Sequence, residues 1–473
     1  MYLSGLAHIL PELVILGSAL VLLIVGMFVG EKWVRVASSL SVVAAAVISY
    51  VEYRGFSGPG SQFFSGFIMH TEHTYLARLV VCVSCIFSFL LFLSSSRKCR
   101  YEFSVVMLFA VLGSISLVIA NHFLSFCLSL ELIGFASYIL VCFDRDSKLA
   151  SEAAIKFFIL GALSSCITLY GISLVYVYAT SFEFGVLASI LEGRESLGAT
   201  LGCAFILTGI LFKLGSVPFH MWLPDTYQGA PTVAVALFTI VTKTAVVLAF
   251  AKIIQGIGVM SQGFKWAMLL AASLSMIVGE LCAMQQNNIK RLFAYANIGH
   301  LGYVLAGICG GYELTFGAVL YYVVSYILIN VWLFSVLLRY GDNGFEISSI
   351  GGMGKKNPVM ALSFVSAMLA AAGLPPFSGF FAKYTLLKAI VGAGALDVPV
   401  LACVVLLCIT SIVPCFYSFR IARVVYFTGV TENYPVVSRS AGLSAIAFIS
   451  VMLSVIIVLS KERLEAVFSL CRP

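Results

Sequence analysis

The sequence predicts an all-α, polytopic membrane protein that forms a single integral membrane domain over residues 1–473. Hydrophobic residues make up 61% of the chain and charged residues only 10%, and the mean hydropathy is +1.05. No soluble globular domain has this composition. Apolar runs of about 20 residues recur along the chain, and each is long enough to cross a bilayer as a helix. The runs are continuous rather than alternating, which favours helices over a β-barrel.

About fourteen transmembrane helices are expected. Their predicted cores are 8–30, 34–51, 74–95, 102–120, 122–142, 152–178, 199–227, 230–255, 265–286, 291–309, 313–339, 357–391, 397–427 and 440–460. Spans seven and twelve are long and contain proline, which removes a backbone donor and breaks a helix. The loops are short, so almost all of the protein is expected to lie in the lipid bilayer.

The distribution of lysine and arginine predicts the orientation. Apart from five lysines within apolar stretches, 15 of these residues are assigned to the odd-numbered loops and the adjoining helix ends, whereas 8 are assigned to the even-numbered loops, their adjoining helix ends and the C-terminus. Because cytoplasmic loops are enriched in basic residues, we expect both termini on the periplasmic side of a bacterial inner membrane. The net charge of +7 therefore reflects basic loops, and nucleic acid is not an expected partner.

Two similar segments indicate an internal repeat. Residues 211–225, LFKLGSVPFHMWLPD, and residues 369–383, LAAAGLPPFSGFFAK, both place a glycine near a Pro-Phe pair. They lie on spans seven and twelve, and an odd offset of five spans means that they run in opposite directions. Paired broken helices in oppositely oriented halves are typical of transporters. We therefore predict two inverted five-helix repeats, residues 102–255 with spans 4–8 and residues 265–427 with spans 9–13.

Buried charges are the candidate functional residues. Five lysines lie inside apolar stretches, namely Lys156, Lys213, Lys243, Lys383 and Lys388. A lysine at bilayer depth is costly and marks an ion or proton path by default. Lys388 lies near the end of its span, where its side chain can snorkel to the interface.

Lys213 and Glu131 form the predicted central pair. Lys213 lies five residues before Pro218, at a helix C-terminus that favours a cation, whereas burial favours the neutral amine. Because these two effects oppose each other, the lysine can bind and release a proton. Glu131 on span five is the expected countercharge. The alternative is a static ion pair that locks two helices, although buried pairs stabilise poorly. Lys243 in mid-span and Lys383 beyond the second break complete the predicted proton-translocating set.

Three further residues are secondary proton-path candidates. Lys156 lies about one turn into span six, where snorkelling is an equal alternative. His220 and His300 lie near mid-membrane and can relay protons near neutral pH, although each can instead be a hydrogen-bonded core histidine. Glu280, toward the end of span nine, is a weaker candidate.

Sequence motifs for redox or nucleotide chemistry are absent from the chain. There is no Walker A loop, dinucleotide-binding glycine motif, iron–sulfur cysteine cluster or haem attachment motif. We therefore expect no cofactor and no metal on this chain, so that an ion gradient or a partner supplies the driving force.

Two motifs resemble a known family. Residues 212–232, FKLGSVPFHMWLPDTYQGAPT, resemble the signature of the antiporter-like membrane subunits of respiratory complex I and of Mrp-type cation/proton antiporters. Residues 285–303, QQNNIKRLFAYANIGHLGY, are similar to the following family segment. The resemblance covers roughly residues 102–430. It implies a fourteen-helix core with inverted five-helix repeats and broken helices seven and twelve. It also implies functional roles for Glu131, Lys213 and Lys243.

The resemblance also implies partners and one branch of the family. The loop and helix at residues 144–165 resemble one branch of the complex I membrane subunits. Lys383 distinguishes the chain from a second branch, which usually has glutamate at that position of helix twelve, and the short segment after span fourteen distinguishes it from a third branch, which carries a long lateral C-terminal helix. Such a chain is a subunit of a proton-translocating NADH:quinone oxidoreductase. FMN, iron–sulfur clusters and quinone are then expected on partner subunits, which comprise other membrane subunits and a peripheral NADH-oxidising arm.

Three functional hypotheses compete. The chain is a proton-translocating subunit driven by redox chemistry elsewhere, an Mrp-type Na⁺/H⁺ antiporter subunit, or a scaffold that pumps nothing. Genomic neighbours that encode flavin and iron–sulfur subunits distinguish the first two. The retained line of buried charges disfavours the third, because a scaffold is free to lose costly lysines.

Overall fold

A computed structural model describes most of the chain. The described residues are 6, 8–56, 60–97, 99–185, 197–257, 262–309, 312–340, 345–392, 397–430 and 440–461. Both ends of the chain lie outside these residues, as do five basic residues of the orientation argument, Lys98, Arg194, Arg439, Arg463 and Arg472.

Helices dominate the described residues, as the sequence predicts. The first seven are α1 Leu10–Val25, α2 Glu31–Gly55, α3 Glu72–Ser94, α4 Tyr101–Ile119, α5 Phe123–Val141, α6 Lys148–Ala179 and α7 Leu197–Leu214. The next six are α8 Trp222–Gly229, α9 Thr232–Leu237, α10 Lys243–Ile257, α11 Gln262–Gln285, α12 Ile289–Cys309 and α13 Tyr312–Leu337. The last six are α14 Met353–Lys356, α15 Pro358–Ala372, α16 Ser378–Gly392, α17 Val398–Thr410, α18 Val413–Phe427 and α19 Ala441–Leu459. A π-helical turn, Phe238–Thr242, joins α9 to α10, and a 3₁₀ turn covers Ile347–Ile350.

The membrane-spanning capacity of these helices agrees with the predicted fold class. Within the described residues, 12 helices are long and apolar enough to cross a membrane. Two shorter apolar helices, α1 and α15, lie where spans one and twelve are predicted. The total of fourteen spans therefore stays a prediction. A small hairpin departs from the all-α expectation, with strands β1 Ser61–Phe63 and β2 Ile68–His70 paired antiparallel.

Helices seven and twelve are broken as predicted. Helix α7 ends at Leu214, and the following Gly215 has φ +78°; helix α15 ends at Ala372, and the following Gly373 has φ +84°. Both glycines lie in the left-handed region that L side chains avoid. Each break also contains a cis peptide bond before a proline, Pro218 or Pro376.

The chain divides into two compact units. The first comprises Met1–Leu93, Lys98–Leu214 and Leu237–Ser261, and the second comprises Ser94–Arg97, Gly215–Ala236 and Gln262–Pro473. In the first unit, α4 packs against α5 and α6 packs against α7. In the second unit, α11 packs along α12, and α13 packs against α16 and α19. The repeat boundaries 102–255 and 265–427 stay a prediction.

A buried arginine connects the three N-terminal helices of the first unit. Arg78 on α3 is 0% exposed, and its guanidinium donates to Glu12 on α1 and to Glu52 on α2, the latter at 2.7 Å. Both Arg78 and Glu12 are buried. Burial, with a smaller contribution from the charge of Arg78, lowers the pKa of the adjacent His70 to about 3, so His70 is neutral at physiological pH.

Arg78→Met should destabilise the first unit by about 3–5 kcal/mol, because breaking a buried charge network leaves uncompensated charges, here two carboxylates. Thermal unfolding in mild detergent would measure the loss. Arg54→Met, which removes an exposed arginine from α2, is the matched control. Equal melting temperatures for the two variants would contradict the role assigned to Arg78.

Candidate functional site

The first predicted lysine lies where its helix ends. Lys213 belongs to the last turn of α7, just before the break at Gly215. Its Nζ is buried and has no hydrogen-bond partner among the described residues. The ring centroid of Tyr138 lies 5.8 Å from this Nζ. The unpaired carbonyls at a helix C-terminus carry partial negative charge, so this position favours an ammonium ion without fixing it by a direct bond.

Glu131, the predicted countercharge, lies on α5 close to this lysine. A Cβ added to Gly134, one turn along α5 from Glu131, would lie 2.9 Å from Lys213 Nζ. Glycine at this position therefore lets the lysine amine approach the backbone of α5. The Glu131 carboxylate accepts a hydrogen bond from Ser165 on α6 and acts electrostatically on Lys213. The two side chains are coupled through space rather than through a hydrogen bond.

Lys243 follows the π-helical turn and is 3% exposed. Helix α10, which begins at Lys243, packs against α4 and α7 within the first unit. Single π turns inside α-helices are frequent at functional sites. This local irregularity has no signal in the apolar pattern, which predicts one regular span.

Lys383 lies at the second break. Its Nζ donates a hydrogen bond of 3.1 Å to the carbonyl of Ala372, the last residue of α15. The same Nζ lies 4.7 Å from the ring centroid of Tyr303 on α12, within the range of a cation–π interaction. The lysine from the second half of the broken helix therefore satisfies a carbonyl that the break exposes.

A cavity lined by both Lys383 and His300 lies in the second unit. Its polar lining residues are Asn297, His300, Tyr322, Ser325, Tyr326, Asn330 and Lys383. His300 Nδ1 and the Tyr322 hydroxyl are 2.7 Å apart. Asn297 Nδ2 and the Ser325 hydroxyl are buried without a hydrogen-bond partner among the described residues, and such groups are normally satisfied by water. The cavity is suited to hold water beside the lysine and the histidine.

The two segments that carry the family resemblance meet in the second unit. Arg291 Nη1 donates to Asp225 Oδ1 at 2.7 Å and to Gln228 at 2.9 Å. Lys290 Nζ donates to the carbonyl of Ala230 at 3.0 Å. Helix α8, the second half of broken helix seven, is therefore held against α12 by charge-assisted hydrogen bonds.

Two secondary candidates lie apart from these clusters. Lys156 is exposed and forms an ion pair with Glu152 one turn earlier on α6, at 2.7 Å. His220 lies between α7 and α8, half-buried, and its Nδ1 has no hydrogen-bond partner in the described ranges. Lys156 therefore occupies the kind of position that snorkelling predicts, and His220 lies close to the first break.

Two buried residues gain a partner that the sequence pattern does not indicate. Glu280 on α11 is 0% exposed and accepts hydrogen bonds from the hydroxyls of Tyr303 and Tyr417. Lys252 lies within α10 and donates to the carbonyls of the last turn of α4, with the shortest bond, 2.8 Å, to Ala120. Their partners are distant in sequence. Across the described part of the chain, no group of three His, Cys, Asp or Glu residues could hold a metal ion.

Comparisons with known proteins agree with this geometry. The family described as NADH:quinone oxidoreductase/Mrp antiporter, transmembrane, matches residues 120–410. The NADH-quinone oxidoreductase subunit N of Anaplasma phagocytophilum is 63% identical, and the alignment covers 98% of this chain and 100% of the relative.

Solved structures share the fold. A chain of respiratory complex I from Thermus thermophilus has a TM-score of 0.83 and 26% identity, covering 96% of this chain and 98% of that one. A chain of the Mrp complex from Dietzia has a TM-score of 0.83 at 19% identity, covering 99% and 97%, which supports the fold alone.

These matches confirm the predicted family and the predicted branch, because relatives named subunit N align with nearly the whole chain. They also agree with a multi-pass membrane protein. The chain therefore belongs to the NADH:quinone oxidoreductase/Mrp antiporter family of membrane proteins, on its subunit N branch.

Proposed function

We propose that this chain is a proton-translocating membrane subunit of an NADH:quinone oxidoreductase, driven by redox chemistry in partner subunits. One observation supports the proposal above all. The amine of Lys213 is buried without a hydrogen-bond partner among the described residues, at a helix end and beside Glu131. A static structural lysine would be hydrogen-bonded, whereas the charge of this one depends on its electrostatic surroundings.

The first step takes place in the first unit. While Glu131 is a nearby carboxylate, Lys213 is stabilised as an ammonium and takes up a proton. When Glu131 moves away or is protonated, the ammonium loses its countercharge and gives up the proton. Lys243, buried in the same unit, is the proposed next acceptor.

The second unit continues the proposed path. Lys383 receives the proton at the second break, and the His300–Tyr322 pair in the adjoining cavity can relay it, since histidine exchanges protons near neutral pH. We propose that Lys213 and Lys243 of the first unit and Lys383 of the second unit belong to one proton path, in which bridging residues or water carry the proton between successive groups.

The proposal also covers partners, cofactors and orientation. FMN, iron–sulfur clusters and quinone belong to partner subunits, and this chain carries no redox centre. Both termini face the periplasm of a bacterial inner membrane. An Mrp-type antiporter subunit is the alternative, supported by the shared fold. Purification in mild detergent distinguishes the two, because NADH dehydrogenase activity co-purifies with the chain only under the first hypothesis.

Lys213→Ala should reduce NADH-driven proton pumping at least about tenfold, because a positioned proton-transfer group typically contributes about 10²–10⁴-fold. Inverted membrane vesicles with a pH-sensitive dye, compared at equal complex content, measure the loss. Lys213→Arg should restore little activity, because arginine holds its proton almost permanently. Wild-type pumping by Lys213→Ala would refute the proposed function.

Glu131→Gln should slow turnover, and Glu131→Asp should be milder, because glutamine keeps the size and hydrogen bonding of the side chain but removes the charge that acts on Lys213. Turnover of the two single variants and of Glu131→Gln/Lys213→Ala tests the coupling. Strictly additive losses in activation free energy would mean that the two residues act independently.

Gly134→Ala should impair pumping while leaving assembly intact. The new methyl group would meet the end of the flexible Lys213 side chain, which can move without disturbing the helices but then leaves its place beside Glu131. Gly17→Ala is the control, because a Cβ there meets nothing within 4 Å. Pumping rates in vesicles, normalised to complex content, should fall only for Gly134→Ala.

A further inference from the structure

Glu280 is a buried acid that the proposed path does not use. It lies on α11 in the second unit and is 0% exposed. Two hydroxyls donate to its carboxylate, from Tyr303 to Oε1 at 3.5 Å and from Tyr417 to Oε2 at 3.3 Å. A lone carboxylate at this depth is costly unless it is paired. The two tyrosines supply neutral hydrogen bonds, so the charge itself still needs a partner.

Lys383 supplies that charge. Glu280 and Lys383 act electrostatically on each other, and Tyr303 lies against both. The ring of Tyr303 faces Lys383 Nζ at 4.7 Å, whereas its hydroxyl lies beside Glu280 and also 3.3 Å from Thr410 Oγ1. One side chain therefore separates the two charges and contacts each of them.

The close approach of α11 and α12 positions this acid. A Cβ added to Gly299 would lie 2.6 Å from Glu280 Oε1, and a Cβ added to Gly279 would lie 2.4 Å from the backbone nitrogen of Gly299. The carboxylate therefore lies directly against the backbone of α12. Any side chain at position 299 would push it away from Tyr303.

We propose that Glu280 is the countercharge of Lys383, and that Glu280, Tyr303 and Lys383 form a second acid–lysine centre for proton transfer. This inference rests on the proposed function and deepens it. The first unit couples Glu131 to Lys213 beside one break, and the second unit couples Glu280 to Lys383 beside the other. Lys213 lies in the last turn of the first half-helix, whereas Lys383 lies on the second half-helix and donates to the last carbonyl of the first.

The proton balance of the second centre is simple. With a proton on Lys383 Nζ, the centre holds an ammonium and a carboxylate and is neutral overall. When the proton leaves toward the cavity, a neutral amine and the carboxylate remain, and the tyrosine hydroxyls stabilise the residual negative charge. Among the described residues, Tyr303, Tyr322, Tyr417 and Cys415 are the other titratable groups that act on this pair.

The test compares Glu280→Gln with Glu346→Gln, which removes an exposed carboxylate in the same unit. NADH-driven pumping is measured in inverted vesicles across pH at equal complex content. Without the carboxylate, Lys383 holds its proton less well, so the alkaline limb of the pumping profile should move down by about one pH unit or more. Glu346→Gln should leave the profile unchanged.

A second variant keeps the test decisive if Glu280→Gln assembles poorly. Tyr417→Phe keeps the ring and removes one donor that favours the carboxylate. It should move the alkaline limb in the same direction by a smaller amount. Glu280→Asp, which keeps the charge, should restore the wild-type profile in part.

The outcomes separate this inference from the proposed function. An unshifted profile in assembled Glu280→Gln, with pumping lost in Lys213→Ala, overturns the second centre and leaves the proposed function standing. Normal pumping in both variants overturns the proposed function itself. If Glu280→Gln and Tyr417→Phe both assemble poorly but keep the wild-type pH profile of pumping, Glu280 belongs to a structural ion pair. That outcome also overturns the inference.

Discussion

The last main-chain carbonyl groups of a membrane helix have no donor within the helix and need a polar partner inside the protein. Three lysines of this chain lie at such helix ends. Lys383 donates to the last residue of α15, and Lys252 donates to the carbonyls that end α4. Lys213 lies in the last turn of α7. Water is excluded from a bilayer core and lipid tails cannot donate hydrogen bonds. An ammonium ion at a helix end therefore offsets the cost of the unpaired carbonyls there.

The three lysines at helix ends differ in chemistry because their amines make different numbers of hydrogen bonds. Lys252 reaches the carbonyls of Val118, Ile119 and Ala120, which holds its amine in place. Lys213 makes no hydrogen bond within the described residues, and the carboxylate of Glu131 acts on its charge through space. Lys383 is intermediate. Its amine makes one hydrogen bond to the backbone and faces the ring of Tyr303, and Glu280 lies beside the hydroxyl of that tyrosine. The number of fixed partners therefore separates a structural lysine from one that can exchange a proton.

The broken helices also need rigid surroundings, and the two family motifs provide them in the second unit. Asp225 and Gln228 on α8 bind Arg291, while Lys290 binds the carbonyl of Ala230. The backbone N–H of Val217, within the first break, is satisfied by Ser275 at 2.9 Å. These bonds fix the chain that follows the break, so changes of charge can act on side chains without unfolding the helix.

The sequence by itself determined the all-α membrane fold and the two helix breaks, and it predicted the pair Glu131 and Lys213, because run length, proline, glycine and buried charge are local signals. It could not find the burial of Arg78, the capping role of Lys252 or the π turn before Lys243. It also ranked Glu280 low, because the second lysine and its acid lie on helices far apart in the chain. Which faces of distant helices pack together decides these pairings, and only the tertiary structure fixes those faces.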